Sequence, residues 1–394
     1  MKNADIYHRP ALAQNLAKRL LRPGVLDLGM RSGLFLAGLR RTGKTTFLLQ
    51  DLIPALESAG ALVIYVDLWS DVSAEPSTLI HAALRSALQD LQTPPASLRA
   101  RLQGLKSLDV GVAGFTFGFE VADLGTPSGA TIAQAAKEII DQAKTDVVFV
   151  VDEVQHMLTS DAGMALMLSL KAARDAVNAR PGTPGHFIFI GTGSHRAQVH
   201  GMTVQGKNAF EGAASLEYPT LDEDYVRHVL ASLQQEGVKV IPSLAVAGQA
   251  FNLLGCRPEE ILRALRTLQQ YQTHEADQYL PVIAATLKAA AADLEIKKIE
   301  ELGNLACAVF DHIAQADAEA SGLFSAAALA NYSRIVGREI SADQVQRIAQ
   351  LLQDYNIIFR KGYGLYAVTD PFVQRAWRDH IATLATPSNP VKAS

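Results

Sequence analysis

Residues 38–46 read GLRRTGKTT, and Gly38, Gly43, Lys44 and Thr45 fill every fixed position of the pattern G-x-x-x-x-G-K-[ST]. Glycines allow the tight turn that points successive backbone N–H groups inward at phosphate oxygens. A helix starting near Lys44 adds the positive end of its dipole. In this pattern Lys44 reaches the β- and γ-phosphates and Thr45 ligates Mg²⁺. Upstream, residues 33–37 (GLFLA) form a short apolar run that reads as a buried strand. Downstream, residues 46–53 (TFLLQDLI) carry apolar side chains at helical spacing. Strand, glycine loop and helix together are the context the motif requires, which an ordinary glycine turn with an exposed lysine would not need.

A second stretch, 146–153 (DVVFVVDE), is an apolar strand ending in two carboxylates. Asp152 is placed to hold Mg²⁺ directly or through water. Glu153 is placed to orient and activate an attacking water. The competing reading of the pair is a cap opening the next helix. Gln155 and His156 follow, as γ-phosphate sensors or as surface or capping residues. HFIFIGTGSHR (186–196) is a further apolar strand that breaks into a polar loop. Ligands of parallel α/β sheets sit at the carboxyl ends of strands. Thr192, Ser194 and Arg196 therefore lie near a γ-phosphate if this strand neighbours the phosphate-loop strand; Thr192 and Ser194 fit loop-capping hydroxyls equally well. With a strand at 61–67, another at 214–218, and helices at 10–21, 77–92, 131–143 and 161–178, the order implies an α/β, right-handed, doubly wound parallel sheet.

The chain has 394 residues, more than one hydrophobic core usually holds. A hydrophobic content of 48% and a charged content of 19% are those of an ordinary globular protein. The net charge of −4 argues against a chain-wide nucleic-acid surface. Cys256 and Cys307 stand far apart without metal-ligand spacing, and a reduced, cytoplasmic protein is the simple reading. The first ten residues lack the apolar core of a signal sequence, and no apolar run approaches the ~20 residues of a membrane span.

Four regions are expected: a core over 1–220, a helical lid over 221–295, a winged-helix domain over 296–384 and a disordered tail over 385–394. Within the core, LDVGVAGFTFGFEVAD (108–123) alternates apolar residues about Gly114 and predicts an inserted β-hairpin, either a projecting finger or a piece packed on the surface. Three helices are predicted after residue 221, the third opened by Pro258. Arg257 stands at its start, as a surface arginine or as one that swings onto bound phosphates. Helices at 325–336 and 342–354, then strands at 357–362 and 363–368, form a helix, helix and two-stranded wing. The candidate recognition helix has Arg347 as its only basic residue, and the wing offers Arg360 and Lys361. Phosphate contacts need several cations, so packing on the core or binding protein competes with DNA binding.

GLRRTGKTTFL, VVFVVDEVQH, FIGTGSHR, LGCRPEEILRAL, YGLYAVTDPFVQRAW and the early Tyr7-His8-Arg9-Pro10 together resemble the archaeal-type ATPases of the STAND and AAA+ group. The resemblance covers about residues 5–380. It implies that Gly38, Arg40, Arg41, Thr42, Gly43, Lys44, Thr45 and Thr46 belong to the Walker A loop and that Asp152 and Glu153 are the Walker B pair. It also implies Ser194 as the sensor-1 residue, Arg257 as the sensor-2 arginine, and Arg9 and Pro10 as part of an adenine pocket. Two departures stand out: Leu39 where relatives often have proline, and a long interval between the Walker motifs. Arg174, Arg180 and Arg196 are all open as an arginine finger. The implied function is an Mg²⁺-dependent ATPase acting as a molecular switch, with a protein partner or self-association as output. The alternative is a DNA-binding loader or transposition regulator.

Overall fold

A computed structural model of the chain describes residues 6–71, 73–94, 96, 115–126, 128–203, 209–271, 275–362 and 364–385. Contacts divide it into two units. One holds His8–Gly38 and Gly43–Tyr218; the other holds the described residues from Pro219 onward with Ile6, Tyr7 and Leu39–Thr42.

In the first unit, β1 (Leu34–Ala37), β2 (Leu62–Asp67), β3 (Val147–Asp152), β4 (Phe187–Gly193) and β5 (Ala214–Glu217) pair in the order β2-β3-β4-β1-β5. Every pairing is parallel. Residues of β3 and β4 are buried one after another, which is why both strands read as unbroken apolar runs. Their side chains alternate between two cores. Val147, Phe149, Val151, Phe187 and Phe189 join Phe35 in one, against helices Pro76–Gln92, Ile132–Ala143 and Asp161–Asn178. Val148, Val150, Ile188 and Ile190 join Leu34 and Leu36 in the other, against helix Pro10–Leu21 and the helix that follows the glycine loop. This is the doubly wound parallel sheet expected of a P-loop NTPase, and β4 lies beside β1.

The helix after the loop is not uniform. It runs as Lys44–Phe47, a π-helical turn Leu48–Leu52, and Ile53–Ser58. The Ile53 N–H reaches back to the Leu48 carbonyl, and Pro54 has no N–H to continue an α-helical ladder. Within this wide turn the Asp51 carboxylate is buried. It accepts from the His8 ring at 2.8 Å and from the Arg9 N–H at 3.0 Å, anchoring the segment that leads into helix Pro10–Leu21.

The hairpin expected at 108–123 falls within the described residues only in its second half. Residues 108–114 lie outside the described residues, and 115–123 contain no strand, only a 3₁₀ turn at Val121–Asp123. The reason is local satisfaction of the backbone. The Thr116 N–H goes to Gln142 Oε1 at 2.9 Å and the Gly118 N–H to Glu138 Oε2 at 2.8 Å, both on helix Ile132–Ala143. Side chains of a helix take the donors that a hairpin partner would have taken. Phe117, Val121 and Leu124 are buried in the core beneath.

In the second unit, helices Glu223–Gln235, Leu244–Leu253 and Pro258–Gln269 share one apolar core with the first half of a 25-residue helix, Ala276–Glu300. The second half of that helix, from Ala292, joins a separate core with helices Asn304–Ala314, Ala326–Val336 and Ala342–Asp354. The border expected at 295–296 therefore falls inside a continuous helix, whose alanines favour propagation. β6 (Ile358–Gly362) and β7 (Leu365–Val368) pair antiparallel, Ala320 bridges to Tyr366, and helix Pro371–Ala385 follows. The tail expected over 385–394 lies beyond the described residues from 386 onward. No helix among the described residues is long and apolar enough to cross a membrane.

Phe189 stacks on Phe210 with ring centroids 4.4 Å apart and is fully buried. Phe189→Ala should destabilise the chain by about 3–5 kcal/mol, measured as a lower denaturant midpoint. Asp51→Ala removes the shared acceptor of His8 and Arg9. Amide exchange should then accelerate over residues 7–13 while β3 and β4 keep their protection.

Candidate functional site

The carboxyl ends of β1, β3 and β4 lie side by side, with Leu36 opposite Thr192 and Ala37 opposite Gly193. Gly38 extends β1 and donates its N–H to the Gly193 carbonyl at 3.1 Å. A Cβ at Gly38 would stand 2.9 Å from the Tyr218 Cβ, so close approach demands glycine there. Gly43 has φ +83°, a left-handed conformation that glycine adopts without strain, and the helix begins at Lys44. Between them the Thr42 hydroxyl donates to the Leu39 carbonyl at 2.8 Å and closes the loop.

Asp152 ends β3 almost wholly buried, and its carboxylate is shared. Oδ2 accepts from the Thr45 hydroxyl at 2.7 Å. Oδ1 accepts from the Thr192 hydroxyl and, at 3.0 Å, from the Glu153 N–H. The next residue breaks the strand. Glu153 has φ +54° and ψ +44°, a left-handed conformation that costs a non-glycine residue energy and turns its side chain toward β4. There Oε2 accepts from the Ser194 hydroxyl at 2.9 Å, from the Ser194 N–H at 3.3 Å and from the Gln155 amide. Oε1 lies 3.9 Å from Lys44 Nζ, and the Lys44 side chain is only 5% exposed.

Five residues expected from the sequence are thus brought together: Lys44, Thr45, Asp152, Glu153 and Ser194. Two others belong with them. Thr192, open between a cap and a site residue, holds Asp152. Gln155 holds Glu153. The signal for Thr192 was its place near the carboxyl end of an apolar strand, two residues before Ser194 in the polar loop that follows. Asp67, opposite Asp152 in the sheet, adds a third carboxylate. Burial pushes the Asp67 carboxyl up, Asp152 and Glu153 push it further, and the Trp69 N–H and His156 oppose them. Burial and the same carboxylates raise the Tyr65 phenol.

The remaining expected residues make other contacts or are exposed. The Arg9 guanidinium lies 5.3 Å from the centre of the Tyr218 ring, and Pro10 opens its helix. Arg40 and Thr46 are exposed. Arg41, with φ +62°, faces Glu259 at 3.4 Å, both side chains about two-thirds exposed, which makes this a weak pair. Arg257 is engaged within the second unit, paired with Asp370 and 4.8 Å from the Phe372 ring centre. Of the open arginines, Arg174 is spent on the Ser32 carbonyl and Asp175, and Arg180 on Asp141 and Thr183. Arg196 lies 3.9 Å from Glu217.

Thr45 and Asp152 fit a magnesium ion by chemistry. Both offer hard oxygen, and they already touch. Among the described residues no group of three or more His, Cys, Asp or Glu is placed to hold a metal ion. Mg²⁺ is usually held by one or two protein oxygens, with water and substrate phosphates completing the shell.

Residues 30–199 match the family model described as the AAA domain. No curated protein is similar to the chain at a significant level. Among solved structures, the Walker-type ATPase PABY2304 of Pyrococcus abyssi is 17% identical with a TM-score of 0.59, over 95% of this chain and 97% of that one. The Aeropyrum pernix ORC2 protein in its ADP form is 13% identical with a TM-score of 0.53, over 98% of both chains. Its ADPNP–ADP complexes are 14% identical with a TM-score of 0.51, also over 98% of both. At these identities the likeness is one of fold. The match over residues 30–199 and the parallel five-stranded sheet agree on the P-loop NTPase fold.

Proposed function

We propose that the chain binds ATP with Mg²⁺ and hydrolyses it, and that the nucleotide state acts as a switch for the helical second unit. The observation that carries this is the junction of Thr45 with Asp152 and of Lys44 with Glu153 at the carboxyl edge of one sheet. A phosphate loop and a pair of strand-end carboxylates meet there, as phosphoryl transfer to water requires. Backbone N–H groups of Gly38–Thr46 and Lys44 would bind the phosphates, and Thr45 and Asp152 would hold Mg²⁺. The ion's contribution is to neutralise charge on the β- and γ-phosphate oxygens. Glu153 takes a proton from water as the water oxygen bonds to the γ-phosphorus. The bond to the bridging oxygen breaks and ADP leaves. Arg9 and Pro10 would adjoin the base. Ser194 acts through Glu153, and Arg257 would take part only after leaving Asp370.

Output through a protein partner or self-association suits the second unit better than DNA. The exposed face of Ala342–Asp354 carries Arg347 among Asp343, Gln346, Gln350 and Asp354, one cation against two carboxylates where phosphate contact needs cations. The DNA reading, a loader or transposition regulator, rests on the wing. It predicts a salt-dependent affinity for duplex DNA that Arg360→Glu abolishes.

Lys44→Ala should weaken ATP binding at least about tenfold, the loss of a charge-assisted contact of roughly 1.5–3 kcal/mol. Glu153→Gln should bind ATP normally while kcat falls by about 10²–10⁴. Calorimetric binding and phosphate release, beside size-exclusion profiles with and without ATP, check all three elements. A wild type that neither binds nor hydrolyses ATP refutes the reading.

A further inference from the structure

The geometry points to Gln155 as the residue that positions the general base, a role resting on the reading of Glu153 given above. Three donors converge on one oxygen of that carboxylate: the Gln155 amide, the Ser194 hydroxyl and the Ser194 N–H. All three hold Oε2. The other oxygen, Oε1, faces Lys44 Nζ at 3.9 Å, the side on which the phosphates would lie. One oxygen is thus anchored and the other presented, and Oε1 is the atom that takes the proton from water.

Two features set Gln155 apart from a glutamine that simply fills space. It is 6% exposed, yet its own Oε1 has no hydrogen-bond partner among the described residues. An idle buried carbonyl is a liability that an apolar side chain would remove. The amide also packs closely on the end of β4, where a Cβ at Gly193 would stand 2.1 Å from the Gln155 Oε1 and 2.7 Å from the Val199 Cγ2. The Gln155 nitrogen reaches the Ser194 hydroxyl as well, at 3.5 Å, so the two donors brace each other on the same carboxylate oxygen. The left-handed backbone of Glu153 turns the side chain toward β4, and Gln155, two residues on, closes over it from the same turn. Among the described residues the Gln155 amide bonds to Glu153 and to the Ser194 hydroxyl that holds the same oxygen, so it acts through the Glu153 carboxylate.

The test is a cycle of variants in the full chain: Gln155→Met and Gln155→Glu, alone and combined with Glu153→Gln. Both keep the length of the side chain and lose the donor. Each single variant should lower kcat about tenfold while the Kd for a non-hydrolysable ATP analogue stays within twofold. The Tm of Gln155→Met should not fall. In the Glu153→Gln background, Gln155→Met should lower single-turnover hydrolysis no further, because two groups acting as a unit are not additive. Unchanged kcat in both single variants, a loss that multiplies with that of Glu153→Gln, or a weakened analogue affinity would each overturn the role of Gln155. Full turnover by Glu153→Gln alone would instead remove the base itself, a separate failure.

Discussion

The carboxylate of Asp152 is the contact on which the site depends. One oxygen accepts from Thr45 in the first turn after the glycine loop, the other from Thr192 near the end of β4. Three segments that the chain visits far apart are tied at one group. A buried carboxylate is tolerable only when its lone pairs are taken up by donors, and here strand order supplies them. Because β3 and β1 flank β4 in the sheet, the loop after β1 and the hydroxyls of β4 converge on the end of β3. Without the Thr45 and Thr192 hydroxyls, only the local Glu153 N–H would remain as its partner.

Glu153 follows a different rule. Asp152 keeps the extended backbone of β3, whereas Glu153 leaves it for a left-handed conformation. Local strain of this kind persists only where surrounding contacts over-determine it. Those contacts are Ser194 and Gln155, and they aim two adjacent carboxylates at different neighbours: Asp152 at Thr45 and Thr192, Glu153 at Lys44 and Ser194. Adjacent residues at the end of one strand thereby acquire separate chemistry.

Much of this was legible in the sequence, for identifiable reasons. The glycine pattern, the apolar run ending in Asp152 and Glu153, and the helical periods of the second half are local signals, and they fixed the sheet, its strands and five residues of the site. What escaped depended on partners distant in sequence. The segment 115–123 has the alternation of a hairpin, but Glu138 and Gln142 take its N–H groups, and no local pattern records that. Thr192 stood level with Ser194 until β4 was seen beside β3 and β1. Gln155 stood open between a γ-phosphate sensor and a surface or capping residue, because its contact depends on Glu153's orientation, which follows from one backbone angle. Arg257 carries the expected position but pairs with Asp370, more than a hundred residues away.

The wide turn at Leu48–Leu52 sets a phase. Lys44, Leu48, Leu52 and Leu56 are buried and recur every four residues. A straight α-helix overshoots a full turn by about 40° at each such step, or about 120° across the three. The π-helical turn absorbs that drift, so the end bearing Lys44 and the end bearing Leu56 share one face. The helix works as a gear with one widened tooth. When such helices are compared between chains, alignment without a one-residue gap at this turn matches the wrong faces. The buried Asp51 would then be set against residues that point to solvent.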